Sequence, residues 1–229
     1  MNWISKIRNP HPKAGFSQSD EDSIILNIFD EIKTTNKFYV DIGALAYGAA
    51  MSNTQCLDNE GWRGLAFDMD FDPTNRVKKE FITPFNVCDV LKKYDCPKNF
   101  DFLSLDIDSS DYDVLESILE NYEPKVICTE FNGTLDPTET IKMEYEEGYV
   151  WDKTNRYGYS FGAGKYLLEK NGYIIILNHG ETNLFAIKKE LITFEMEEVQ
   201  ATKSMYHKYN ESAKWVDCRE PIKKEFIND

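Results

Sequence analysis

The sequence predicts an α/β protein built on a mainly parallel sheet with helices on both faces. Three observations predict it. Short runs rich in β-branched and aromatic residues recur at 38–42, 64–68, 100–106 and 125–130. Segments with apolar residues at helical spacing lie between them, and such alternation requires crossover connections and hence parallel pairing. Two last runs, 173–177 and 183–188, flank His179-Gly180-Glu181, a hairpin turn, so the sheet should end with an antiparallel strand.

Taken in order, residues 1–17 read as an irregular lead-in, because Pro10 and Pro12 deny a helix its N–H donors. Ser19 or Asp20 can cap a first helix carrying Ile24, Ile25, Ile28, Phe29 and Ile32 on one side. The first strand, 38–42, is broken by Gly43, and a helix is expected over 52–59. The second strand, 64–68, is followed by a short charged helix opening at Pro73. A short third strand is expected at 81–85 and a helix near 87–94. The fourth strand, 100–106, leads to a helix with Val114, Leu115, Ile118 and Leu119 on one face, and the fifth ends at Glu130. Residues 131–158, rich in Gly, Thr, Asp and Tyr, read as loop. A helix over 160–171 ends at Asn171-Gly172 and precedes the closing hairpin. In the charged tail, Val199, Met205, Tyr206, Tyr209 and Trp215 point to one more helix. The expected organisation is one domain over 1–229. It divides into a lead-in and helix (1–35), a cofactor-binding core (36–130), an acceptor-side loop (131–158), a closing helix and hairpin (159–190), and a C-terminal extension (191–229).

Composition narrows the function. The 229 residues suit one sizeable α/β domain, and 41% hydrophobic content supports a packed core. Lys and Arg number 26 against 40 Asp and Glu, a net charge of −14 that repels phosphate backbones and anionic lipid, so a nucleic-acid partner is not expected. No apolar run approaches the ~20 residues of a membrane span. The N-terminus lacks a secretory apolar stretch. Cys56, Cys88, Cys96, Cys128 and Cys218 are odd in number and form no C-x-x-C pair, which argues for reduced thiols in a cytoplasmic setting and against zinc. His11, His179 and His207 are too scattered for a His-rich centre.

Open parallel sheets bind ligands at the carboxyl ends of their strands. Strand one ends at Asp41, and Gly43 lets the backbone approach a ligand closely. The stretch lacks both G-x-G-x-x-G and G-K-[ST], which weakens dinucleotide and nucleoside-triphosphate readings. Asp68, ending strand two, either accepts the ribose hydroxyls of an adenosine or caps the next turn with Asp70. Asp89 either accepts an adenine amino group or caps a helix.

These residues fall within a longer pattern. It runs through Phe16-Ser17-Gln18 with Glu21-Asp22, Val40-Asp41-Ile42-Gly43-Ala44, Ser52-Asn53-Thr54 with Leu57, and Gly61-Trp62-Arg63-Gly64. It continues through Leu103-Ser104-Leu105-Asp106-Ile107-Asp108, Asp111-Tyr112, Glu130-Phe131-Asn132, Tyr157-Gly158 and Asn183-Leu184-Phe185. Over roughly residues 16 to 188 the chain resembles the FkbM-type family of S-adenosylmethionine-dependent methyltransferases. The resemblance implies a Rossmann-like class I methyltransferase fold and S-adenosyl-L-methionine as cofactor. Around that cofactor the expected residues are Gln18, Glu21, Asp41, Gly43, Ser52, Asn53, Thr54 and Asp106, together with Asp68 and Asp89 from their places after strands two and three. The resemblance also implies an acceptor hydroxyl on a glycan or small natural product. The chain departs from the family at Tyr47, where an acidic residue often precedes the second glycine of the cofactor loop.

Methylating an oxygen needs in-line approach to the sulfonium methyl, removal of the hydroxyl proton and exclusion of water. Alternation would send Asp106 and Asp108 to one side if strand four persists that far, with Glu130 and Asn132 at the end of the neighbouring strand. Three readings stay open. Asp108 or Glu130 is a general base. Alternatively Asp106, Asp108 and Glu130, with Asn132 as a further ligand, hold a divalent cation such as Mg²⁺ or Mn²⁺ that acidifies the acceptor. In the third, Asp106 orients the cofactor and Asp108 caps the next helix. Tyr157 is the aromatic residue expected to face the acceptor, while Tyr145, Tyr149 and Trp151 stack on it or anchor the loop. Two other functions compete: a DxD-type glycosyltransferase using Asp106 and Asp108, and a non-catalytic binding module, for which Tyr47 is the sequence support.

Overall fold

The computed structural model describes residues 3–44, 51–70, 72, 74–192, 198–203 and 212–223. Helix α1 (Trp3–Ile7) precedes α2 (Glu21–Glu31), and the chain then enters β1 (Phe38–Ile42). There follow α3 (Gln55–Asn59), β2 (Arg63–Asp68), β3 (Val77–Lys79), α4 (Val87–Lys93) and β4 (Asn99–Leu105). Helix α5 (Asp111–Asn121) leads to β5 (Glu123–Glu130) and the short β6 (Ile141–Met143). Helix α6 (Phe161–Lys170), β7 (Tyr173–His179), β8 (Asn183–Lys188) and β9 (Trp215–Asp217) complete the described elements.

Seven strands form one sheet in the order β3-β2-β1-β4-β5-β8-β7. The pairs among β1 to β5 are parallel, whereas β8 runs antiparallel to both β5 and β7. This is a Rossmann-like, methyltransferase-type sheet, mainly parallel with an antiparallel closure. Period-two alternation fills both faces. Val40, Ile42, Leu103 and Leu105 turn to the layer of α4, α5 and α6 and pack on Val90, Leu115 and Leu167. Tyr39, Phe102, Val126 and Cys128 turn to the layer of α1, α2 and α3 and pack on Ile7, Ile25, Ile28 and Leu57. Each such aliphatic side chain, once buried, contributes about 2 kcal/mol from the transfer of apolar surface out of water. No described helix is long and apolar enough to cross a membrane.

Local chemistry moved several elements from their expected places. The third strand is at Val77–Lys79 rather than 81–85, paired with Ala66–Asp68. Asp72 causes this, because its carboxylate accepts the N–H of Thr74 (2.8 Å) and of Val77 (2.9 Å) and turns the chain into the sheet. The helix expected to open at Pro73 is therefore absent over 74–76, and Pro73 itself lies outside the described residues. Pro84 has no N–H for a ladder, and Phe81 and Phe85 are both exposed, so 81–85 stays irregular. The 131–158 loop contains β6, which pairs with β9 from the tail. Trp215 is thus in a strand, and the rest of the expected tail helix, 204–211, lies outside the described residues. The lead-in includes α1, which ends before Pro10 and packs on α2 through Ile7.

The opposite edge of the sheet is held by a buried carboxylate. Asp101 in β4 is fully buried and accepts the backbone N–H groups of Thr35 (2.7 Å), Asn36 (2.9 Å) and Lys37 (2.7 Å), fixing the turn into β1. Lys125 approaches it at 3.5 Å. Asp101→Ala should lower the unfolding free energy by about 3 kcal/mol, since several buried amides lose a charged acceptor at once. Urea denaturation monitored by circular dichroism tests this; a loss under about 1 kcal/mol would mean the turn is held by something else.

Candidate functional site

Strand β1 lies between β2 and β4, so the connections on its two sides leave in opposite directions and a crevice opens at its carboxyl end. Register decides what lines that crevice. Asp41 stands opposite Ser104, and Leu105 opposite Thr129, so one step further Asp106 comes level with Glu130. Asp41, Asp106 and Glu130 share the parity of Tyr39, Phe102 and Val126, and so project from the α2–α3 face of the sheet edge.

Asp106, Asp108 and Glu130 each offer a carboxylate oxygen within 4.8 Å of the others. Alternation does not place Asp108 there, because β4 ends at Leu105. Asp108 instead adopts left-handed backbone, φ +52°, which swings the chain back toward Glu130. The buried Asp111 holds that turn, with Oδ1 accepting Ile107 N–H (2.8 Å) and Oδ2 accepting Ser109 N–H (2.9 Å). The role of Gly43 also differs from expectation. Its φ is +86°, and an added Cβ would sit 1.5 Å from the carbonyl oxygen of Asp106. The close backbone approach that Gly43 permits is to Asp106.

The electrostatics follow from this crowding. Solvent reaches Asp106, yet protein presses on it closely enough that burial, then the charges of Asp108 and Asp111, push its carboxyl up to about 8. Burial likewise raises Glu130 well above the usual range, followed by repulsion from Asp106, Asp108 and Asp111. Glu130 Oε2 is buried without a hydrogen-bond partner among the described residues. Asp111 is pushed up to about 6, again chiefly by burial. Tyr157 is 1% exposed, and burial, then the charges of Glu130, Asp108 and Asp106, keep its phenol protonated.

A second network starts at Asp41. Thr54 Oγ1 donates to Asp41 Oδ2 (2.5 Å) and accepts from Arg76 Nη2 (2.5 Å). Arg76 Nε also donates to Asp58 (3.1 Å), which accepts the Tyr39 hydroxyl at 2.6 Å. Burial raises the Asp41 carboxyl, opposed by the Thr54 bond and the Arg76 charge. Ser52 accepts the N–H groups of Thr54 and Gln55 and starts α3, while Asn53 donates to Ser104 (3.2 Å).

The other sequence-derived candidates lie as follows. Asp68 is half-buried at the end of β2 and accepts Asp70 N–H (2.7 Å), so it does cap the next turn with one oxygen. Burial raises its carboxyl. Asp89 is exposed in the first turn of α4, and Gln18 is exposed on the lead-in. Glu21 is buried at the start of α2, accepts from Ser19 N–H and Asn183, and lies 3.6 Å from His179. Asn132 is fully buried and spent on the loop: its amide donates to the carbonyls of Asn155 (2.7 Å) and Tyr157 (2.8 Å), and its oxygen accepts from Thr134. Tyr47 lies outside the described residues. Sequence reasoning missed Arg76, which carries no motif, and the organising role of Asp111, which the pattern contains as Asp111-Tyr112 without showing what it holds.

A cavity of about 420 Å³ lies at the other edge of the sheet, lined by Phe29, Leu57, Trp62 and Lys37, and shares no residue with the carboxylate cluster. Chemistry rather than volume therefore singles out the carboxylate edge.

The raised carboxyl of Asp106 has a consequence for stability. The native state holds a proton that the unfolded chain releases near pH 4, so native stability falls as pH rises from there toward about 8. Asp106→Asn abolishes that titration. Its stability relative to the parent should improve steadily between pH 5 and pH 8 in chelator-treated buffer, read from thermal midpoints. A gap constant with pH would show that Asp106 ionises normally.

No family model and no curated protein matches the chain. Among solved structures, it is similar to a protein from Lactococcus lactis described as a "putative hemolysin". The two are 14% identical over 76% of this chain and 89% of that one, at a TM-score of 0.41. A "putative hemolysin" from Streptococcus thermophilus is 11% identical over 76% of this chain and 67% of that one, at a TM-score of 0.40. Similarity at that level bears on neither fold nor function. The strand order itself identifies the Rossmann-like, methyltransferase-type architecture.

Proposed function

We propose that the chain is a single-domain, cytoplasmic S-adenosylmethionine-dependent O-methyltransferase acting on a hydroxyl of a glycan or small natural product. One observation carries the reading. At the switch point of a methyltransferase-type sheet, Asp106, Asp108 and Glu130 converge, and the charges acting most strongly on the Asp106–Glu130 pair are all negative. Such a cluster destabilises itself unless a cation or a proton joins it, and both a sulfonium cofactor and a divalent ion are cations. The motif series shared with FkbM-type enzymes supports the same reading.

In this scheme Asp68 accepts the ribose hydroxyls with the oxygen not used by Asp70, and Asp89 reaches the adenine. Asp41, Gly43, Ser52, Asn53, Thr54 and Asp106 form the floor beneath the methionine part, with Gln18 and Glu21 at its side. Asp108 and Glu130 are the two candidates for the base. Asn132 positions Tyr157 against the cluster. Asp106, Asp108 and Glu130 fit a hard divalent ion, being oxygen donors with one partnerless oxygen, Glu130 Oε2. Bound there, Mg²⁺ or Mn²⁺ would lower the pKa of the acceptor hydroxyl.

S-adenosylhomocysteine should raise the thermal midpoint of the protein, and uridine diphosphate with Mn²⁺ should not. The reverse pattern would favour a nucleotide-sugar transferase, and silence with both would favour a binding module. Asp68→Ala should weaken S-adenosylhomocysteine by about tenfold through loss of a charged ribose acceptor. Against this, Asp108→Asn and Glu130→Gln should keep affinity and lose turnover by about a hundredfold, the size of an acid–base contribution. Calorimetry and a methyl-transfer assay separate the two classes, and wild-type rates in Asp108→Asn would remove it as base.

A further inference from the structure

We infer that the cavity at the amino ends of β1 and β2 is a second binding site, for a small carboxylate carried on a flat apolar body. It shares no residue with the carboxylate cluster, so it stands whether or not the chain transfers methyl groups. Its volume of about 420 Å³ is of the size that encloses a small organic molecule. Lys37 stands immediately before β1 and Trp62 immediately before β2, while the end of α2 and Leu57 of α3 close the sides.

The apolar part of the lining is already in place. Leu57 is fully buried, and Leu26 and Trp62 are nearly so. Phe29 meets the Trp62 ring edge-on at 4.7 Å and 66°, and Phe102 of β4 backs Phe29 at 6.2 Å and 88°. Rings held on two sides present a fixed wall, so a flat body binds without reordering them. The remaining lining side chains are mostly charged, which calls for a ligand with a charged head on that body.

Pairing among those charges selects the sign of the head. Two acids and two lysines line the cavity. Both acids are engaged: Glu60 accepts Lys13, and Asp30 Oδ2 faces His11 Nε2 at 3.3 Å. Lys33 and Lys37 are exposed, and among the described residues neither ammonium has a carboxylate partner. Helices α2 and α3 reach the cavity by their carboxyl ends, which disfavour an anion. Several of those carbonyls are already capped, however. Ile28 accepts Ile32 N–H, Leu57 accepts Trp62 N–H and Asp58 accepts Gly61 N–H, each at 3.0 Å. The two unpaired ammonium groups therefore prevail. Phosphate is a poorer match than carboxylate, because no arginine fork and no helix amino end lines the cavity.

Two probes of one shape test this: 2-naphthoate and the uncharged 2-naphthylmethanol, each titrated into the full chain and followed by ¹H–¹⁵N NMR. The amide signals of residues 26–37 and the Trp62 indole N–H should move with 2-naphthoate. Its dissociation constant should be about fivefold below that of the alcohol, the effect of two exposed charge contacts. Lys33→Gln combined with Lys37→Gln should erase that preference. Both side chains are exposed, so the thermal midpoint should stay within about 2 °C of wild type. Unmoved signals around the cavity, equal affinity for the two probes, or a preference that survives the double substitution would each overturn the inference.

Discussion

The placement of Asp106 is the constraint on which the rest of the site depends. Its backbone N–H donates to Ile42 carbonyl (2.9 Å) at the end of β1, and its carbonyl presses on Gly43, where no side chain fits. Gly43 and Ala44 in turn donate to Phe67 in β2, each at 2.9 Å. Three adjacent strand ends are thus tied by main-chain contacts, which fix where the Asp106 backbone stands beside Glu130. Ordinary surface carboxylates spread apart at little cost. At Asp106 burial, and then the charges of Asp108 and Asp111, raise the carboxyl instead.

A chain this acidic invites the objection that carboxylates must cluster somewhere by chance. Four buried acids show how the fold satisfies such a group, and Asp106 and Glu130 differ from them. Asp22, Asp72, Asp101 and Asp111 are each nearly or fully buried, and each accepts two or more backbone N–H groups; Asp22, for instance, takes Gly15, Phe16 and Ser23. These acids organise turns, with amide dipoles replacing the water they lost. Asp106 and Glu130 have no such set of amide donors, and the charges around them are negative. The same kind of side chain is satisfied by backbone amides in one set and not in the other. That contrast, rather than the count of acids, marks the functional edge.

The sheet was legible because local periodicity and burial agree there. The runs from Tyr39 to Ile42 and from Phe100 to Leu105 alternate correctly and are buried on both faces, and the His179–Glu181 turn announced the antiparallel closure. Asp41, Asp106 and Glu130 were legible for the same reason: they stand at a strand end or within one residue of it. Asp108 reached its place by a route the pattern does not encode, since a left-handed residue held by Asp111 depends on a buried carboxylate three residues later. The third strand was misplaced because Asp72, not hydrophobicity, dictates where the chain turns in. The β6–β9 pair joins residues more than seventy positions apart and leaves no trace in either short segment.

This division of legibility has a functional side. The floor of the site is built from sheet ends and fixed by main-chain geometry. The wall formed by β6 and β9 hangs on long-range side-chain contacts. Lys142 of β6 pairs with Asp113 of α5 in a buried ion pair and lies 5.0 Å over the Tyr112 ring. Glu144 receives Lys214 and Lys223 from the tail, and Cys218 N–H donates to Thr140 carbonyl (2.8 Å). The buried pair tolerates little change, because removing either partner strands the other charge in a dry interior. The tail contacts are more exposed and individually weak. Such a wall can be altered in shape through its exposed residues while the carboxylate floor stays untouched. The carboxylate edge and the β6–β9 wall therefore rest on separate supports.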